Sequence, residues 1–322
     1  MIVPILLFVV GLILLIKGGD WFVDGATGIA HRFHIPEILI GATVVSIGTT
    51  LPEVMVSANS ALSGHGEIAY GNAIGSIICN TSLIAAITVA IRPSKIDRKS
   101  LVFPVIFFFG AAVFYAGVAY KVGFFSRTTG VILVTVFLVY MIVSVLNVRK
   151  SLAVKNETSH QEMADGSILK DIILLVVGAA IIAVGADLLV DNGIVIAKTV
   201  GVPESVIALT FVALGTSLPE LVTAITSLAK GHGALSLGNI IGANLFNLVL
   251  VSGVSTVLSP FSIPASSFIN GINTSLLVDI PVMFAVMALL VLPALIRGKL
   301  SRIQGILLLG IYALFCVFQF TL

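Results

Sequence analysis

The chain is 322 residues long, 58% hydrophobic and only 10% charged, against about a quarter charged in soluble proteins. Its 17 Lys and Arg and 15 Asp and Glu are too few to cover a water-facing surface, and a mean hydropathy of +1.17 points to an all-α polytopic membrane protein in contact with the lipid bilayer. A net charge of +2 offers nothing to nucleic acid. The two cysteines, Cys79 and Cys316, lie in apolar runs and supply neither a disulfide framework nor a thiolate cluster; no cofactor is expected.

A bilayer crossing needs roughly 20 mainly apolar residues. The first apolar stretch, 2–29, lacks a basic leader and a small-residue cleavage site, so it reads as a retained helix. Spans at 37–62, 68–91, 101–120 and 129–148 follow, which makes residues 1–148 a five-helix half. The polar stretch 149–167 is a linker. Residues 168–322 hold spans at 168–196, 204–229, 234–258, 275–296 and 302–321, for ten expected helices. After odd-numbered spans lie about 13 basic residues, including Arg32, Arg92, Arg98, Lys170, Lys230 and Arg297, against about three (Lys121, Arg127, Lys198) after even-numbered ones. That bias predicts a cytoplasmic linker and both termini outside, in the cell membrane.

Sliding the chain on itself by about 167 residues aligns Gly18–Pro93 with Gly185–Pro260 without a gap, at about 27 identities in 76 positions. Asp20 and Asp24 meet Asp187 and Asp191, and Gly64-His65-Gly66 meets Gly231-His232-Gly233. Gly48-Thr49-Thr50-Leu51-Pro52-Glu53 meets Gly215-Thr216-Ser217-Leu218-Pro219-Glu220. Because each unit has an odd number of crossings, the second copy enters the membrane from the opposite side, which predicts two inverted five-helix repeats whose matching motifs meet near the midplane.

Glu53 and Glu220 are the acidic residues well inside expected spans. A carboxylate at that depth marks function unless it braces helices, and two copies in one motif argue against mere bracing. Pro52 and Pro219 donate no N–H to the Gly48 and Gly215 carbonyls, so both are expected to break their helices and expose oxygen. The following spans carry Gly71-Asn72-Ala73-Ile74-Gly75-Ser76 with Asn80, and Gly238-Asn239-Ile240-Ile241-Gly242-Ala243 with Asn244 and Asn247. Small residues permit close helix approach and amides supply neutral oxygen, although Asn in a span is often interhelical glue. Carboxylates, carbonyls, hydroxyls and amides suit hard cations such as Ca2+ and Na+ rather than zinc or copper. Two negative charges balance one Ca2+, and competition between Ca2+ and Na+ for one alternately exposed site would be antiport.

In these motifs the sequence resembles the sodium/calcium exchanger family of the calcium/cation antiporters, and the two motif blocks look like that family's two alpha repeats. The resemblance implies no enzyme but an electrogenic antiporter, about three Na+ for one Ca2+, with its sites between the second, third, seventh and eighth helices. Carried over residue by residue, Glu53, Glu220 and the carbonyls of Thr49 and Thr216 would hold Ca2+. One Na+ site would use Ser46, Thr49, Glu53 and Ser76, and an outer one Ala213, Thr216 and Glu220. Asn80 and Asn247, with Thr50, Ser217, Ala243 and Asn244, would line the site. The first and sixth helices would slide across this core. Ala243 stands where many relatives have Ser, which removes a hydroxyl from the outer Na+ site. Asn247 stands where potassium-dependent relatives have Asp, so K+-independent exchange is expected; a monomer is the expected state. An antiporter of the same build coupled to protons is the alternative.

Lys17, Asp20, Asp24, Asp187 and Asp191 read as an interfacial polar network rather than gating groups. His65 and His232 read as ordinary polar turn residues rather than pH sensors.

Overall fold

The structure, a computed structural model, describes residues 2–93, 96–156, 167–200, 215–264, 268–269 and 271–321. Among them are nine helices long and apolar enough to cross a membrane. In chain order the helices are α1 (Ile2–Arg32), α2 (Glu37–Leu62), α3 (Gly66–Ile91), α4 (Arg98–Lys121), α5 (Arg127–Asn156), α6 (Ile168–Thr199), α7 (Leu218–Ala229), α8 (Gly233–Leu258), α9 (Ser275–Arg297) and α10 (Arg302–Thr321). The described part of α7 has 12 residues, and the stretch 204–214 of the expected seventh span lies outside the described residues. Helix α5 runs through Asn156, past the expected end of its span at 148.

Position follows apolar patterning. In α8 and α3, 83% and 72% of the most apolar window is buried, against 22% in α1 and in α6. The latter two expose Leu6, Ile13, Ile16, Ile173 and Val176, as expected of helices whose outer surface meets lipid. They bury a seam of glycines against each other. Gly11, Gly18 and Gly25 recur every seven residues in α1, and Gly178 and Gly185 share that spacing in α6. A Cβ on Gly178 would sit 2.5 Å from the Phe22 nitrogen, and one on Gly11 would sit 2.8 Å from the Gly185 carbonyl oxygen. Later residues of α1 meet earlier ones of α6, so the pair is antiparallel, and a seven-residue period keeps the seam on one line.

Among the described residues, four helices carry a π-helical turn: Gly41–Val45 in α2, Asn80–Ala85 in α3, Asn247–Val251 in α8 and Ser275–Asp279 in α9. Two of them open on Asn80 and Asn247, which occupy equivalent positions in the two copies of the repeat. Such turns widen a helix by one residue and gather at functional sites.

Alternate connections meet at opposite ends of the assembly. At one end Arg32 pairs with Asp171 at 3.1 Å, Lys230 with Asp24 at 2.8 Å, the Arg92 guanidinium donates to the Leu228 carbonyl at 3.2 Å, and the Ile96 amide donates to Gly298 at 3.0 Å. At the other end β1 (Phe124–Phe125) pairs antiparallel with β2 (Phe261–Ser262), beside a hairpin of β3 (Phe268–Ile269) and β4 (Ile272–Asn273). Asp20 and Asp24 therefore do belong to a polar network, but its cation is Lys230 on the neighbouring helix end.

Candidate cation-binding site

Helices α2 and α8 approach each other through small residues. A Cβ on Gly41 or Gly238 would overlap the Leu235 or Ile38 carbonyl, and one on Gly242 would lie 2.6 Å from the Ala42 Cα. Backbone-to-backbone contact of this kind draws Asn239 of α8 onto Ser46 and Thr49 of α2. Thr49 donates its hydroxyl to Asn239 Oδ1 at 3.1 Å, and Ser46 Oγ lies 3.0 Å from the Asn239 carbonyl oxygen and 2.7 Å from that of Gly41. The equivalent pair recurs across the site: Thr216 donates to Asn72 Oδ1 at 3.3 Å. Asn72 donates in turn to Ser57 Oγ at 2.8 Å and to the Glu53 carbonyl at 3.4 Å. Each motif threonine is thus held by the motif asparagine of the other half.

Inside this frame Glu53 and Glu220 are wholly buried. Among the described residues none of their four carboxyl oxygens accepts a hydrogen bond, and the Thr50 and Ser217 hydroxyls and both amide atoms of Asn80 and Asn247 are equally unpartnered. The Glu220 carboxyl faces the hydroxyls of Thr49 and Thr50, and the two glutamates lie within electrostatic reach of each other. Burying an unpaired carboxylate costs several kcal/mol. Two together, with the Thr49 and Thr50 hydroxyls beside one of them, make sense when a cation bridges them.

Proline acts differently in the two motifs. At Pro219 the helix is interrupted: Thr216 and Ser217 form a turn and α7 restarts at Leu218, with the proline in its first turn. At Pro52 the expected break is absent, and α2 stays helical from Ser46 to Leu62. Continuing the helix gives up a single hydrogen bond, whereas unwinding gives up several. The irregularity in α2 lies upstream, in the π turn Gly41–Val45, where the buried Tyr140 hydroxyl donates to the Ala42 carbonyl at 2.8 Å.

The sodium/calcium exchanger protein family matches residues 3–146 and 170–321. The chain belongs to the sodium/calcium exchanger family. It is 31% identical to the sodium/calcium exchanger MaX1 of Methanosarcina acetivorans over 99% of both chains, and 35% identical to an uncharacterized membrane protein of Methanocaldococcus jannaschii over 95% of this chain and 94% of that one. Among solved structures, the sodium-calcium exchanger NCX_Mj soaked with Na+ and Sr2+ matches with a TM-score of 0.80 at 33% identity, covering 97% of each chain.

In this exchanger the residues expected at the site have varied surroundings. Ser46, Thr49, Thr50, Glu53, Asn80, Ser217, Glu220 and Asn247 are all buried. Thr216 is partly exposed and lines a mostly apolar cavity of about 860 Å³ that also reaches Gly48, Pro52, Asp187, Asp191 and Pro219. Ser76 and Ala243 are buried on the α3 and α8 faces. Asn244 turns its amide toward Thr81 at 2.7 Å and the Met287 sulfur at 3.2 Å, so it ties α8 to α3 and α9. Ala213 lies outside the described residues. The holding role of Asn72 and Asn239 escapes sequence reasoning, although their exact repetition beside the Glu motif is a usable signal. Tyr140 has no such signal, because its partner is a backbone carbonyl freed by a turn no motif announces.

Proposed function

We propose that the chain, a member of the sodium/calcium exchanger family, exchanges Na+ for Ca2+ by alternating access, with Glu53 and Glu220 as the shared charged ligands. The observation that carries this reading is the pair of buried, unpartnered carboxylates flanked by Thr–Asn bonds that cross between the repeats. The resemblance of the motifs, and the sodium/calcium exchangers among the similar proteins, support Na+ as the counter-ion. On this reading Ca2+ is held by both glutamates and the Thr49 and Thr216 carbonyls. Na+ takes Ser46, Thr49, Glu53 and Ser76 on one side, and Ala213, Thr216 and Glu220 on the other. Three Na+ per Ca2+ makes the exchange electrogenic, and Asn247 in place of a carboxylate leaves it independent of K+. Ten crossings in two inverted halves, 1–148 and 168–322, joined by a cytoplasmic linker at 149–167, bring the two copies of the motif together. The antiparallel α1–α6 pair slides over that core, and the cavity reaching Thr216 is one of its two entrances.

Radiolabelled Ca2+ uptake into proteoliposomes with imposed Na+, H+ or K+ gradients tests the coupling. An outward Na+ gradient should drive uptake and a K+ gradient should add nothing. Uptake driven by a pH gradient, and not by Na+, would instead establish the proton-coupled alternative.

A further inference from the structure

At the end of the assembly that carries Arg32, Asp171 and Lys230, three potential metal ligands converge from three separate elements. His31 sits in the last turn of α1, Glu37 is the first residue of α2, and His232 directly precedes α8. Their ligand atoms all lie within 4.8 Å of one another. His232 Nδ1 is 2.8 Å from Glu37 Oε1, His31 Nε2 is 3.6 Å from the same oxygen, and the two imidazoles stand edge to face at 6.4 Å.

Local backbone geometry holds them there. After α1 the chain reverses through His34 in the left-handed region at φ 50°, and Pro36 then starts α2 so that Glu37 lies under His31. His232 is fixed by a left-handed glycine, Gly231 at φ 89°, and by its own amide, which donates to the Ser227 carbonyl at 2.7 Å. The two neighbouring cations are committed elsewhere, Arg32 to Asp171 and Lys230 to Asp20 and Asp24. The repeat makes the cluster informative. Glu37 and His232 have repeat counterparts in Glu204 and His65, but the counterpart of His31 is Lys198, which is no metal ligand at neutral pH. The third donor is therefore particular to one face of the membrane.

We propose that His31, Glu37 and His232 bind a transition-metal ion of the zinc class, and that the bound ion clamps α1 to the core and slows exchange. Two imidazoles and one carboxylate are a donor set that Zn2+, Ni2+ or Cu2+ takes readily and Ca2+ or Na+ does not. Three protein ligands leave a position for water. The clamp follows from placement: Glu37 and His232 belong to helices that build the cation site, whereas His31 rides on α1, which moves with α6 in the proposed cycle. The binding claim stands on the cluster alone; only the inhibition rests on the proposed alternating access.

Isothermal titration of ZnCl2 into the purified full-length protein, in Ca2+-free buffer, tests binding. Wild type and the Glu53→Gln/Glu220→Gln double variant should each bind one Zn2+ with the same affinity, and His31→Ala and His232→Ala should each weaken it at least tenfold with an unchanged elution profile. Equal affinity in the His variants, or loss of binding in the double glutamate variant, would overturn the proposal by placing the metal elsewhere or in the transport site. In proteoliposomes, Zn2+ that saturates wild type should slow its exchange and leave His31→Ala unaffected. Equal slowing of both would refute the clamp, while absence of Na+-driven exchange without Zn2+ would strike at the functional reading and leave the titration to judge the metal site.

Discussion

At the scale of single residues, the Thr–Asn bonds explain how a site made of flexible side chains is kept in shape. Thr49 and Thr216 each donate their hydroxyl hydrogen to an asparagine on a helix from the other half, which leaves the hydroxyl lone pairs unspent. Replacing Asn239 with Ala removes the side-chain acceptor for the Thr49 hydroxyl, and a net hydrogen bond of about 1 kcal/mol translates into an apparent Na+ affinity several-fold weaker, measurable by exchange at graded Na+. An unchanged affinity would make Asn239 simple helix glue. Position 243 permits the opposite experiment. Ala243 is fully buried and has no hydroxyl where its counterpart Ser76 has one, so Ala243→Ser should tighten the apparent Na+ affinity; an unaltered Na+ dependence would mean that the outer ion draws its ligands elsewhere. The candidate glutamates stood out in the sequence because each copy of the repeat vouches for the other. The cross-bonds did not, since a repeat shows which positions are equivalent without showing which of them touch.

At the scale of helices, packing space sets tolerance to change. The α1–α6 seam leaves no volume at Gly178, where an added Cβ meets the Phe22 backbone, while nothing lies within 4 Å of a Cβ at Gly110 in α4. Gly178→Ala should therefore lower thermal stability in detergent by about 1–3 kcal/mol, the usual penalty of overpacking. Gly110→Ala should hold or slightly raise it, because alanine is the better helix former; equal effects would mean the seam can open freely. Helix α4 also depends on its cap. Asp97 accepts from the Ser100 hydroxyl and from the amides of Lys99 and Ser100, and these bonds, led by that from Ser100, hold its carboxyl below the usual range. A depressed carboxylate stabilises the fold above its unfolded pKa, and that stabilisation fades as pH falls through the folded value. Asp97→Ala should lose about 1 kcal/mol at neutral pH and little once the pH is below both values; a pH-independent difference would contradict the cap. Element boundaries were legible wherever charge or Gly-Pro punctuation marks them. The π turns and the intact α2 at Pro52 were not, because a helix absorbs one missing donor or one extra residue with no change in its apolar pattern.

For the whole molecule, scarcity of charge organises both surface and centre. The basic loops after odd-numbered spans meet at one end of the assembly, where Arg32, Arg92 and Lys230 reach partners from distant helices. The two central glutamates are wholly buried and, among the described residues, their carboxyl oxygens accept no hydrogen bond. Membrane class, duplication and the identity of the central acids were legible in the chain because hydropathy and self-similarity are properties of sequence alone. The metal-like cluster of His31, Glu37 and His232 was hidden, because its three residues come from three connections that only the fold brings together. On the proposed function, Glu53 and Glu220 are the ion ligands. Na+-gradient-driven uptake of radiolabelled Ca2+ by Glu53→Gln and Glu220→Gln, each beside wild type in matched proteoliposomes, tests it most directly. Uptake should fall to background in both variants while their elution profiles and thermal stability match or exceed wild type, since each substitution removes a buried charge; wild-type exchange in either variant would contradict the account.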